Sequence, residues 1–189
     1  MYRDKGVFTA VMNLIDTFVD EVKVFSLNKY EDNRGFFLEK YHKKRYASFG
    51  ISDEFLQDNH SRSKKNVVRG LHFTVNNPQS QLMTVINGTV FDVVVDVRKY
   101  SPTFGQHKSF ILSDKGPQQI YMPHGFAHGF CVLSEIADLH YKASKLYQGE
   151  DERGIRWNDE DINICWPVDN PEISARDSMH PSLQEFLSN

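Results

Sequence analysis

Apolar and polar positions alternate with a period of two along most of the chain, the pattern of strands with one buried face. It is clearest in Val90-Phe91-Asp92-Val93-Val94-Val95-Asp96-Val97-Arg98. There Phe91, Val93, Val95 and Val97 share one face, and Val90, Asp92, Val94, Asp96 and Arg98 share the other. Gly88 before this run and Ser101-Pro102-Thr103 after it are turn punctuation. The same pattern predicts strands over 22–27, 35–41, 55–61, 67–74, 82–87, 108–112, 118–122, 128–133 and 137–143. Turn signals such as Asn77-Pro78, Asn87-Gly88, Gly105, Asp114-Lys115-Gly116-Pro117 and Pro123-His124-Gly125 separate them. Helix is predicted over 42–49, ended by Gly50, and from Pro181 through Leu187. Many short strands without alternating helices predict an all-β fold, an antiparallel barrel or jelly roll with a few short peripheral helices. The mouth of such a barrel is a natural small-molecule site.

Several strands carry polar residues where a core would be apolar. Gln57, Asn59 and Ser61 share a face. Gly70, His72 and Thr74 share another, opposite Arg69, Leu71 and Phe73. Tyr141 has the parity of Ala137, Leu139 and Ala143, the expected inward set, which turns Asp138, His140 and Lys142 outward. A lumen that holds a sugar needs such groups to bond hydroxyls and phosphates. Each also has a bland reading. A single Gln, Asn or Ser is usually solvated, a single His structural, and a single Tyr a core aromatic with a bonded hydroxyl. Parity therefore indicates a polar pocket and leaves the reaction open.

Composition narrows the partners. A chain of 189 residues fits one domain, 1–189, with residues 1–14 a possible N-terminal extension. The formal charge of −3 provides no basic field for nucleic acid or an anionic membrane, so an anionic ligand has to be held by local groups. Cys131 and Cys165 match no zinc spacing and read as two reduced, buried thiols of a cytoplasmic protein. No stretch approaches the ~20 apolar residues that span a bilayer, and the start lacks the order of a signal peptide.

Eight segments occur in a telling order. They are Arg34-Gly35-Phe36-Phe37-Leu38-Glu39, Gln57-Asp58-Asn59-His60-Ser61, Val68-Arg69-Gly70-Leu71-His72-Phe73, Ser101-Pro102-Thr103-Phe104-Gly105, Pro123-His124-Gly125-Phe126-Ala127-His128-Gly129-Phe130, Tyr141-Lys142, Gly154-Ile155-Arg156-Trp157-Asn158-Asp159 and Ser174-Ala175-Arg176-Asp177. The series resembles the dTDP-4-dehydrorhamnose 3,5-epimerase family over roughly residues 15–183. The resemblance implies a cupin-like jelly-roll β-barrel, a homodimer, and epimerisation at C3 and/or C5 of a nucleoside-diphospho-4-keto sugar in surface-polysaccharide biosynthesis. Carried over by position, it implies His72 as general base, Asp177 as its carboxylate partner, and Tyr141 as the acid on the opposite face. The implied ligand-contacting positions are Arg34, Phe37, Glu39, Gln57, Asn59, Arg69 and His128, with Tyr147 and Glu152 as further pocket residues.

The chemistry requires these residue types. A hydrogen beside a ketone can be removed because the charge spreads onto the ketone oxygen as an enolate. Imidazole is a base matched to neutral pH, and a carboxylate on its other nitrogen fixes the tautomer. Inversion needs a second acid across the ring, and the enolate oxygen needs a donor such as Arg69. This logic requires no redox cofactor and no metal.

One position departs from the family, which usually carries a lysine about ten residues after the catalytic histidine. Aligned back from Gly88, that position holds Gln81, a neutral donor. Arg69 then carries more of the load, or the enzyme works on one carbon or on an unusual sugar, or it is impaired. The family's 6-deoxyhexoses are carried by dTDP, while GDP- or CDP-linked sugars and heptoses stay open. Other readings are a non-catalytic sugar-nucleotide binder, a 4-keto-sugar ketoisomerase, and a metal cupin built on His72, His124 and His128.

Overall fold

Two sheets facing each other form the jelly-roll β-barrel, described for residues 12–188 in a computed structural model. In chain order the elements are β1 (Met12–Phe18), β2 (Val22–Leu27), β3 (Lys29–Asp32), β4 (Gly35–Leu38), α1 (Lys43–Ala47), β5 (Gln57–Lys64), β6 (Val68–Thr74) and β7 (Gln81–Asn87). There follow β8 (Thr89–Asp96), β9 (His107–Ser113), β10 (Gln118–Met122), β11 (Phe126–Val132), β12 (Ile136–Ala143), β13 (Glu152–Gly154), α2 (Ala175–Ser178) and α3 (Leu183–Ser188). A six-stranded sheet runs β1-β2-β10-β7-β12-β5, a five-stranded sheet runs β13-β6-β11-β8-β9, and β3 and β4 pair as a separate hairpin.

The inner faces of both sheets fill the core between them. Val22, Val24, Met83, Val85 and Ile120 from one sheet meet Val90, Val94, Leu112, Phe130 and Val132 from the other. The outer faces are covered too. Val93, Val95 and Val97 of the β8 run pack with Ile155, Ile162 and Leu183, so the chain after β13 forms a lid over the back of the five-stranded sheet. Phe25, Leu27, Leu82 and Tyr121 pack with Tyr46 and Ile51 on the back of the six-stranded sheet. This double cover explains why valines fall on both faces of β8. A fully buried Val or Leu contributes about 1.5–3 kcal/mol relative to exposure.

The expected strands and both expected helices are present, with ends shifted by a few residues. Three elements had no alternating signal. β3 is polar and mostly exposed, and it forms by pairing with β4 across Asn33-Arg34. β13 has three residues and exists as an addition to the edge of β6. α2 is a single turn started by the Ser174 side chain, which accepts the Asp177 backbone N–H at 3.0 Å. Residues 12–14 of the segment read as a possible extension belong to β1, paired with β2; residues 1–11 lie outside the described residues. Gly88, at φ +89°, is a corner where the chain passes from β7 in one sheet to β8 in the other, and a Cβ there would lie 2.2 Å from the Ile136 carbonyl oxygen. Asp138 differs from expectation: it shares the outward parity of His140 and Lys142 but is buried, accepting bonds from Arg62 at 2.8 and 3.0 Å and from Asn87 at 3.2 Å, with His60 at 3.1 Å. Among the described residues, no helix is long and apolar enough to cross a membrane.

Candidate active site

A cavity of about 380 Å³ opens between the sheets. The six-stranded sheet lines it with Gln57, Asn59 and Ser61 from β5, Gln81 from β7 and Tyr141 from β12. The five-stranded sheet contributes Arg69 and His72 from β6, His128 from β11 and Glu152 from β13. Tyr147, from the loop after β12, and Arg176 of α2 complete the wall. The strand parity read from sequence thus puts Gln57, Asn59, Ser61, His72 and Tyr141 on one lumen.

Arg69 corrects that parity. Alternation sets it opposite His72, yet both line the cavity. The cause is an irregularity in the β6–β11 ladder: His72 pairs with His128 and Arg69 with Phe130, so three steps on β6 oppose two on β11. Gly70 makes this possible. Its φ is +106°, and a Cβ there would come within 2.4 Å of the His128 carbonyl oxygen. Only glycine fits both the conformation and the close approach.

His72 Nε2 lies 2.9 Å from Asp177 Oδ1, and Asp177 Oδ2 accepts the Gly70 N–H at 3.1 Å. Burial opposes charge on Asp177, but the bond and charge of His72, the Gly70 amide and Ser174 outweigh it and hold the carboxyl well below the usual carboxylate range. An ionised Asp177 keeps the His72 proton on Nε2 and leaves Nδ1 with its lone pair. Nδ1 faces the Glu152 side of the cavity, 3.8 Å from Oε1. Across the lumen, burial raises the Tyr141 hydroxyl above its ordinary value; the charge of Glu152 adds to this and Arg69 opposes it. Tyr141 is therefore a protonated donor at neutral pH. The His72 imidazole and the Tyr141 hydroxyl project from opposing sheets, which is the arrangement that inversion of a ring carbon demands.

The remaining polar groups are held in place by their neighbours. Arg69 Nε donates to Ser63 Oγ at 2.9 Å. Gln57 Nε2 donates to Asn59 Oδ1 at 2.9 Å, and its Oε1 accepts the Tyr147 N–H at 2.9 Å. Glu152 Oε2 accepts from Tyr147 at 3.0 Å and from Arg176 at 2.6 Å. Gln81 Nε2 donates to Gln79 Oε1 at 3.1 Å. His128 Nε2 sits 2.7 Å from Oδ2 of the fully buried Asp92, which forms a second imidazole–carboxylate pair beside the first. His124 lies outside the cavity wall, in the turn before β11, so the His72, His124, His128 set does not assemble.

Three expected contacts fall elsewhere. Arg34 and Phe37 lie on the β3–β4 hairpin, lining a separate depression with Tyr30 and Phe36, and Glu39 just beyond it pairs with Arg45. Within one chain they do not reach the cavity. Sequence reading also passed over Arg176 and His180. Arg176 precedes Asp177 in a quoted motif, which was a usable signal. His180 has none, because its place beside Asp177 follows from the turn after α2.

The comparisons agree with this fold. The family model described as dTDP-4-dehydrorhamnose 3,5-epimerase matches residues 16–185. The dTDP-4-dehydrorhamnose 3,5-epimerase of Shigella flexneri is 46% identical over 168 residues, 88% of this chain and 93% of that protein. That of Salmonella typhimurium is 46% identical over 180 residues, 94% and 98% of the two chains. A crystal structure of dTDP-6-deoxy-D-glucose-3,5-epimerase from Legionella pneumophila, in complex with dTDP-4-keto-L-rhamnose, superposes with a TM-score of 0.89 at 45% identity and covers 92% of this chain and 93% of its own. With the match spanning nearly the whole chain in sequence and in fold, this protein belongs to the dTDP-4-dehydrorhamnose 3,5-epimerase family.

Proposed function

We propose that this chain inverts C3, or C3 and C5, of a dTDP-linked 4-keto-6-deoxy sugar through an enolate, with His72 as base and Tyr141 as the acid on the other face. The observation that carries this reading is the placement of His72, backed by Asp177, and the Tyr141 hydroxyl on opposing sheets of one cavity. His72 Nδ1 removes the proton beside the ketone, Asp177 steadies the imidazolium, and Tyr141 returns a proton from the opposite side. Arg69, on the lumen wall, supplies a donor for the enolate oxygen, and Arg176 a charge for the diphosphate. Membership of the family and the ligand of the Legionella relative support dTDP and a keto-rhamnose.

The same reading includes a homodimer. Phe36 and Phe37 on the hairpin are 65% and 69% exposed, and neither Arg34 nor Phe37 reaches the cavity of its own chain. A part for them in ligand binding requires the hairpin of a second copy. Cys131 is buried as expected, whereas Cys165 is exposed, on the chain that follows β13; the two unpaired thiols fit a reducing compartment, the cytoplasm.

Proton NMR in D₂O with 4-keto sugars on dTDP, GDP and CDP tests the reaction. Deuterium at C3, or at C3 and C5, with a new epimer from the dTDP substrate is the expected result. Absence of exchange with every substrate, from folded protein, would favour a sugar-nucleotide binder, with the neutral Gln81 as its cause. Light scattering that gives the mass of one chain would remove the dimer.

A further inference from the structure

The geometry points to a site for a zinc-like divalent transition-metal ion formed by His72 Nε2, Asp177 Oδ1 and His180 Nε2, and to loss of the base when an ion occupies it. Binding follows from the geometry alone, whereas the loss of activity rests on the role given to His72 under Proposed function.

His180 is the residue that carries the argument. Its side chain is 14% exposed, and its Nε2 is buried with no hydrogen-bond partner. That atom lies 3.6 Å from Asp177 Oδ1, the oxygen that His72 Nε2 approaches at 2.9 Å, and one ligand atom from each of the three residues falls within 4.8 Å of the others. Ligand atoms bound to zinc at about 2.0–2.2 Å in tetrahedral array stand roughly 3.3 Å apart, and the two separations from Asp177 bracket that value. The His72 and His180 rings meet edge to face at 5.5 Å, so a small rotation brings both nitrogens onto one ion. Gly154 leaves the room for this, since a Cβ there would lie 2.3 Å from His180 Nε2. Two imidazoles and a carboxylate with a fourth, open position are a donor set suited to zinc.

The surroundings fit as well. With an ion on Nε2, His72 carries its proton on Nδ1, which faces Glu152 Oε1 at 3.8 Å. A carboxylate behind the second nitrogen is the usual support of a metal-bound histidine. Arg176 opposes the ion, with Nη2 3.4 Å from His72 Nε2 and Nε 3.7 Å from Asp177 Oδ1. Its side chain is 53% exposed and already leans on Glu152, so it swings outward as the ion enters. The two states of His72 exclude each other. Proton abstraction needs the hydrogen on Nε2 and the lone pair on Nδ1, whereas the ion needs the reverse.

The test is a titration of metal-free protein with Zn²⁺ against a chromophoric chelator, for wild type, His180→Ala and the more conservative His180→Gln, with folding checked by circular dichroism. Deuterium uptake into the 4-keto substrate is followed in parallel at each zinc concentration. One ion per chain is expected in the wild type, with affinity at least about tenfold weaker in both variants. Wild-type exchange should fall in step with occupancy, return on adding EDTA, and resist zinc about tenfold better in the variants. No saturable binding, or equal affinity in wild type and variants, overturns the site and leaves His72 as base untouched. Binding that depends on His180 but spares exchange overturns the inhibition and removes His72 as the base.

Discussion

Replacing Asp177 by Asn tests the base most sharply, because the structure dictates what an amide does there. Asp177 receives two N–H donors, from His72 Nε2 at 2.9 Å and from the Gly70 backbone at 3.1 Å. Asparagine offers one oxygen and one NH₂. The Gly70 proton cannot move, so the oxygen stays with it and the NH₂ faces His72 Nε2. That nitrogen must then present its lone pair, which puts the proton on Nδ1, where the base is needed. Regaining the productive tautomer requires flipping the amide and stranding the Gly70 N–H, at about 1–3 kcal/mol. The charged partner of the imidazolium is lost as well, about 1.5–3 kcal/mol. Together these come to about 2.5–6 kcal/mol on the barrier, or roughly 10²- to 10⁴-fold in rate at 1.36 kcal/mol per decade. Deuterium uptake beside the ketone, measured with saturating substrate, reads this directly. KM should change little, because Asp177 stands behind His72 and outside the cavity wall. A folded Asp177→Asn protein that exchanges within threefold of wild type would refute the dyad.

Other perturbations probe separate parts of the same arrangement. Tyr141→Phe should still wash solvent deuterium into substrate while inverting it about 10²-fold more slowly, and normal inversion would send the search for the acid to Tyr147. Gln81→Lys replaces a neutral donor by a charged one, so turnover should rise about fivefold; a fall would show that the amide serves a different sugar. Gly70→Ala combines a φ of +106° with a Cβ 2.4 Å from a carbonyl oxygen, and should cost about 3 kcal/mol or more, read as a lowered denaturation midpoint. Acid should destabilise the fold by a definite route. Asp138 is held below the usual carboxylate range by its Arg62 bond first, and Asp177 by its bonds in spite of burial. The folded state therefore binds fewer protons than the unfolded one below the ordinary aspartate value of about 3.9, and stability present above that value is lost as pH falls below it. Melting temperatures from pH 7 to pH 2 should drop in that window, and by less in Asp138→Asn than in wild type.

Most of the barrel and half of the site were legible because both depend on alternation. Gln57, Asn59 and Ser61 occupy one face of a strand, and that face turns out to be the lumen. What alternation cannot carry was lost. Arg69 and His72 have opposite parity, and the ladder irregularity at Gly70 that unites them leaves no trace in a hydrophobic pattern. Asp138 looked solvated because burial by side chains from neighbouring strands is a property of register. β3 and β13 are polar or too short to show a period, and they form through pairing alone. His180 became visible when the turn after α2 set it beside Asp177, 105 residues along the chain from His72.

That distance has a consequence for biosynthesis. The barrel strands that carry His72 and Tyr141 leave the ribosome well before the lid that carries Asp177. At about 5–20 residues per second, the 105 residues between His72 and Asp177 take roughly 5–20 seconds to add. Throughout that interval the imidazole lacks its carboxylate, and since β12 ends at Ala143, 34 residues before Asp177, a nascent barrel can close around an inert lumen in the last part of it. With His72 as the proposed base, proton abstraction is switched on when the lid docks, which makes epimerase activity a reporter of the docked lid and not of barrel formation.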